Sequence, residues 1–222
     1  MKTEKQSFKQ WCEHIWYYNK WMIILGGTVA VFLIVGVIQL FTQKEGDVSF
    51  LYVGKATITV RGTNELQDTV KGLIEDYNDD GVITIDYVEL TALAGETSGV
   101  AFDFDTNNAV LRRFENEVRA GDSVIYLLDQ YYFERVVDMG VLANLSDILG
   151  DDVPETAIDD YGVYLKDLDI YSTPGFNQLP AKTILCIRRS PEQDQITYGR
   201  RVDVYNANRQ CFIELFNYKQ DK

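Results

Sequence analysis

Histidine is almost missing from this 222-residue chain, which has only His14. Everything downstream of it therefore lacks a Ser–His pair, a Cys–His pair and an HExxH zinc site. Glycine-rich phosphate loops of the P-loop or GxGxxG type are also absent. Three cysteines are too few for a disulfide framework. Cys12 lies near the N-terminus. Only Cys186 and Cys211 could share a compartment, either as two buried thiols, the favoured reading, or as one bond. Basic residues are scarce, with 21 Lys and Arg against 34 Asp and Glu and a net charge of −13. Nucleic acid and anionic surfaces are thus poor partners for most of the chain. No motif calls for a cofactor or a metal.

A long apolar run is present. "WMIILGGTVAVFLIVGVIQLF", residues 21–41, contains no charged residue. As a helix at ~1.5 Å per residue it would reach about 31 Å, enough for a ~30 Å hydrocarbon core. A cleaved signal peptide would have a shorter apolar region followed by a small-x-small site, and "FTQKEGD" offers none. The expectation is a retained single-pass transmembrane helix. Lys2, Lys5, Lys9 and Lys20 precede it, against Glu4 and Glu13. Residues 1–20 therefore carry +2 and residues 42–222 carry −15. The lysine bias puts the N-terminus in the cytoplasm and the larger part outside the cell membrane. Phe8, Trp11, Trp16, Tyr17, Tyr18 and Trp21 crowd the approach to the span. Such rings suit the headgroup layer, or a docking helix for a membrane partner. Gly26 and Ala30 form a small-xxx-small pair, a weak signal for helix pairing.

The expected organisation is a cytoplasmic aromatic and basic tail over 1–20, the span over 21–41 and a linker over 42–46. An extracytoplasmic domain fills 47–222. Within it, 47–60 reads as a strand and then a loop near Gly54 and Lys55. Residues 64–78 read as a helix through Leu66, Val70, Leu73 and Tyr77, with Asn64 and Gln67 as a capping box. "DYNDDGVITIDY", residues 76–87, starts like a calcium loop, with Asp76, Asn78, Asp80 and Gly81 in step. An EF-hand needs Glu at position twelve and a following helix. Tyr87 stands there, and "VITIDYVEL" alternates like a strand, so the stretch is read as a turn.

"VAFDFD" suggests a short strand, 107–121 a helix and "SVIYLLD" a strand buried on both faces. Residues 130–140 read as a short helix, 150–180 as irregular, 182–189 as a buried strand and 200–219 as a closing helix. Arg209 interrupts the Tyr205, Phe212 and Phe216 stripe of that last helix. The alternation of strands and helices predicts an α/β fold, a single three-layer domain with a largely parallel sheet.

In such sheets ligands bind beyond the carboxyl ends of the strands. The candidate site residues are then Gly54 and Lys55, Thr91, and Asp129, Tyr131 and Tyr132. Tyrosines beside an aspartate suit a small polar solute such as a sugar or peptide, although packing on the sheet is the simpler role for both rings.

The strand–helix opening, "ITIDYVEL" and "SVIYLLDQYYFERVVDMGVLANLSDIL" resemble one lobe of the extracellular solute-binding proteins of ABC importers, of Gram-positive bacterial type. The resemblance spans roughly residues 48–149. It implies a non-catalytic binding module for a solute or for an envelope protein. The family usually has two lobes and about twice this length, and is secreted or lipid-anchored, so this chain would be a reduced, membrane-anchored relative. The alternatives are a structural accessory subunit of a transporter-like membrane complex and, further off, a carboxylate-based hydrolase.

Overall fold

The computed structural model describes residues 8–42, 46–91, 104–191 and 202–219. The chain forms two compact units, Met1–Glu45 and Gly46–Lys222.

In the first unit, helix α1 runs over Phe8–Thr42. Trp16, Tyr17, Tyr18 and Trp21 are exposed on it, as are Met22, Leu25, Phe32 and Leu33 further along. Thr28 bonds within the helix, its hydroxyl donating to the Ile24 carbonyl at 2.9 Å. Among the described residues no single helix is long and apolar enough to cross a membrane. Trp16–Met22 and Ile24–Val37 meet that test only as a pair bent by 43°, by length and composition alone. Cys12 and His14 have no described side chain.

The second unit contains strands β1 (Val48–Gly54), β2 (Ile85–Thr91), β3 (Ile125–Leu128), β4 (Gly162–Tyr164) and β5 (Ile184–Ile187). Its helices are α2 (Val60–Lys71), α3 (Phe104–Ala120), α4 (Gln130–Asp138), α5 (Leu145–Leu149) and α6 (Val202–Asn217). One sheet of order β2-β1-β3-β5-β4 holds all five strands. β1 pairs in parallel with β2 and β3, whereas β5 is antiparallel to both β3 and β4. The sheet is therefore mixed, with β5 running against the other four strands.

The connection explains the reversal. A parallel neighbour requires a crossover, usually a helix, whereas an antiparallel one is reached from the same end of the sheet. Residues 165–183 return at that same end through short 3₁₀ turns, and the Leu165 N–H donates to the Thr183 carbonyl at 2.8 Å. The irregular reading of 150–180 thus missed β4, three residues long.

Helices cover both faces. Val48, Phe50 and Tyr52 of β1 pack in one core with Leu66 and Val70 of α2 and Phe212 and Leu215 of α6. Leu51 and Val53, alternating with them, pack in a second core with Phe114 and Val118 of α3 and Phe133 and Val136 of α4. The period of two along β1 sends its side chains to both layers. This is why every residue of that strand is buried.

Local differences from the sequence reading have identifiable causes. α2 begins at Val60 because the Thr59 hydroxyl accepts the Gly62 N–H at 3.1 Å. Asn64 and Gln67 are thus interior to the helix, and the Gln67 amide donates to the Ile85 carbonyl at 3.0 Å. α2 ends at Lys71, well before Asn78. Most of "VAFDFD" lies outside the described residues, and its Phe104 and Asp105 open α3.

Residues 76–82 form a turn whose acidic side chains serve its own backbone. Asp76 accepts the Asp80 and Gly81 N–H groups, and Asp80 accepts that of Val82. Asp47, almost fully buried, accepts the N–H groups of Tyr77 and Asn78 through one carboxylate oxygen and that of Thr84 through the other.

Asn208 ties α6 to β1. Its side-chain oxygen accepts the Ser49 N–H at 2.8 Å, and its amide donates to the Val204 carbonyl at the same distance. Arg209 turns aside and donates to the Ile148 carbonyl at 3.1 Å.

The optional Cys186–Cys211 bond is not formed. Both thiols are free and fully buried, in the cores on opposite sides of the sheet. Burial pushes both thiol pKa values up, so neither yields a thiolate readily. Maleimide labelling read by peptide mass spectrometry is expected to modify Cys186 and Cys211 only after denaturation. Labelling of either in the native protein, or a mass showing the two joined, would contradict this arrangement.

Candidate functional site

The topology reverses between β1 and β3. From β1 the chain passes through α2 to β2 on one side, then through α3 to β3 on the other. Strands diverging at such a switch point leave a crevice beyond their carboxyl ends. A cleft of about 750 Å³ lies there. Tyr52 and Gly54 from the end of β1, followed by Lys55, form one wall. Asp129, Gln130, Tyr131 and Glu134, from the β3–α4 junction and α4, form another. Tyr164 at the end of β4 and Pro180, Lys182 and Thr183 before β5 complete it.

Lys55, Asp129 and Tyr131 are thus brought together, with Gly54, at the position expected from the sequence. Thr91 and Tyr132 are not among the lining residues. The Thr91 hydroxyl bonds to that of Thr57 at 3.0 Å and donates to Glu89 at 3.3 Å. Tyr132 is fully buried, its ring edge-on to Phe114 with centroids 4.8 Å apart. It packs on the sheet, the simpler of the two roles weighed for it.

Asp129 is the N-cap of α4, and its Oδ1 accepts the Tyr132 N–H at 3.1 Å. Its Oδ2 is buried and has no hydrogen-bond partner. Burial raises the carboxyl pKa. The backbone N–H of Tyr132, the charge of Lys55 and the backbone N–H of Tyr131 offset only part of that rise.

The Tyr52 hydroxyl is likewise buried without a partner. Burial is the main cause that pushes its pKa up to about 12. Ala56 N–H opposes this from nearby without making a bond, and the charges of Glu89 and Asp129 add to it. Gly54 makes room for this hydroxyl, which a Cβ there would meet at 2.6 Å.

Tyr131 is held from behind. Its ring stands edge-on to Tyr132 at 5.1 Å, and Arg135 sits 5.8 Å from its centroid. Arg135 is in turn fixed by Glu115 of α3, 2.6 Å away. The Tyr164 hydroxyl donates to Gln130 at 3.3 Å, and Gln130 donates to Glu134 at 2.8 Å. Among the described residues no group of three or more His, Cys, Asp or Glu side chains could hold a metal ion.

The sequence reading did not single out Tyr52, Tyr164 and Lys182 as site residues. Tyr52 looked like ordinary strand filling, and Tyr164 belongs to the overlooked β4. Lys182 was known to precede a strand, but in a parallel sheet that start would lie at the far end from the cleft. The reversal of β5 brings it near.

A raised carboxyl pKa in the folded state means that the native protein binds a proton more readily than the unfolded chain. Stability attributable to Asp129 therefore falls as pH rises from the ordinary carboxylate range through the raised value. Asp129→Asn keeps an N-cap side chain and removes the desolvated charge. Thermal melts at pH 7 should place this variant at or above the wild-type Tm, with any advantage shrinking at acid pH. A variant clearly less stable at pH 7 would contradict this account.

No family model matches the chain, and neither does any curated protein or solved structure.

Proposed function

We propose that the chain is a membrane-anchored, non-catalytic binding protein whose Gly46–Lys222 unit recognises a small polar solute in the switch-point cleft. The observation that carries this reading is the Asp129 Oδ2, buried at the cleft without a hydrogen-bond partner. A buried carboxylate oxygen left unpaired costs about 1–3 kcal/mol or more, and a bound donor recovers that cost. Such costs are tolerated where a group has a task. The cleft volume lies within the ~300–1,000 Å³ usual for small-molecule sites.

The anchor reading rests on the charge-free run 21–41 and the exposed aromatic residues Trp16, Tyr17, Tyr18 and Trp21. These features also suit the second reading, an accessory subunit docked through α1. The larger unit would then face outward, as a reduced relative of one solute-binding lobe.

The test is a thermal-melt screen of the full chain in detergent against sugars, amino acids, short peptides and divalent cations. A ligand at ~100 times its Kd adds about 2.7 kcal/mol, which a melt resolves. A cooperative transition that no solute moves would defeat the binding reading and favour the accessory role. Release of the chain from membranes by alkaline carbonate would defeat the anchor.

A further inference from the structure

We infer that the cleft takes a small zwitterion, a free amino acid or a short peptide, with its ammonium at Asp129 and its carboxylate at Lys55 and Lys182. This rests on the binding reading above and narrows it to a ligand class.

Two residues that line the cleft carry buried polar atoms without partners, Asp129 Oδ2 and the Tyr52 hydroxyl. Tyr52 is only 1% exposed, and it lines the same cleft as Asp129. A primary ammonium has three donors and no acceptor. It can give one to the carboxylate oxygen and another to the phenol oxygen. A sugar hydroxyl could also fill the acceptor site, but it would leave the desolvated negative charge countered by Lys55 alone. A cation removes both deficits.

Two lysines line the same cleft, Lys55 after β1 and Lys182 before β5. Lys182 is exposed, so its ammonium can reach an anion at the mouth without first leaving a buried site. Lys55 lines the same cleft as Asp129, and its positive charge offsets part of the cost of burying that carboxylate. A purely cationic ligand would meet that charge as repulsion. A ligand bearing its own carboxylate turns it into attraction. The faces of Tyr131 and Tyr164 can cover the apolar part of such a molecule.

The experiment uses the full chain in detergent, read by melting temperature and by calorimetric titration. The probes are a pool of the common amino acids, dialanine, N-acetylalanine, alanine amide and glucose, each at millimolar concentration. The expected result is a shift with the amino-acid pool or with dialanine, which distinguishes a free amino acid from a peptide. N-acetylalanine and alanine amide, each lacking one charge, should give no shift. Asp129→Asn should weaken the responding zwitterion by ~10–100-fold, the range of a charge-assisted hydrogen bond. Lys182→Gln, at an exposed position, should weaken it less while leaving the melt of the free protein unchanged. A shift with glucose alone would overturn the zwitterion and leave the binding cleft standing. Equal shifts with the blocked and free compounds would do the same. No shift with any probe, from a cooperatively melting protein, would overturn both readings.

Discussion

Gly175→Ala should destabilise the folded domain by roughly 3–5 kcal/mol and lower its Tm by ~10 °C or more. Two penalties combine. Gly175 has φ +86°, where an L residue is strained by ~1–2 kcal/mol. A Cβ there would also collide with the backbone N and Cα of Leu66, in the middle of α2. Backbone cannot move aside as a flexible side chain can, and the 173–178 segment is tied down on α2. Thr69 donates to the Pro174 carbonyl at 3.0 Å, and Gln178 donates to Glu65 at 3.0 Å. Gly140→Ala is the matched control. Gly140 has φ +66° but open space around its would-be Cβ, so only the strain should register, about 1–2 kcal/mol. Denaturant unfolding of the two variants side by side measures the difference. Equal losses would show that the α2 contact contributes nothing.

Asp47→Ala is the second large effect, with an expected loss of roughly 3 kcal/mol. One almost fully buried carboxylate accepts three backbone N–H groups, from Tyr77, Asn78 and Thr84. Hydrogen bonds to a charged group contribute about 1.5–3 kcal/mol each, and the three are not additive because they share one anchor. The loss should fall on the α2–β2 connection, so amide exchange at Tyr77–Thr84 should rise before the rest of the domain responds. Asp47→Asn, which keeps one acceptor oxygen, should fall between wild type and alanine. A loss below ~1 kcal/mol for alanine, or uniform acceleration of exchange, would contradict this role.

The elements legible from the sequence were those whose signal is local. "SVIYLLD" announced a strand with no solvent face, and Ile125–Leu128 are fully buried. The helix expected over 107–121 is found at Phe104–Ala120, and that over 200–219 at Val202–Asn217. The acidic run after Asp76 declared a turn, because Asn and Asp side chains bond to nearby backbone.

What local pattern could not carry was pairing. Nothing in "KTILCIRR" says which way its strand points. That is decided by how residues 165–183 return, through contacts too irregular to have a period. The same limit governed the site. Lys55, Asp129 and Tyr131 follow from the rule that ligands gather at carboxyl ends, whereas Lys182 required knowing that β5 is reversed. Thr91 satisfied the rule equally well but has Thr57 and Glu89 for partners. Asn208 was passed over in favour of Arg209, although it is Asn208 that shares a helical stripe with Tyr205, Phe212 and Leu215 and makes the buried hydrogen bond.

The Asn208–Ser49 bond bears on the order of events as the chain is made. It joins positions 159 residues apart. β1 leaves the ribosome first among the strands, yet its apolar side chains need α2, α3, α4 and α6 for cover. Synthesis proceeds at ~5–20 residues per second, so the strand waits many seconds for its last partner. During that interval it is a sticky, half-clothed segment, and closing so long a loop makes the final step intrinsically slow. The last helix to be made is thus the one that completes the cover of the first strand.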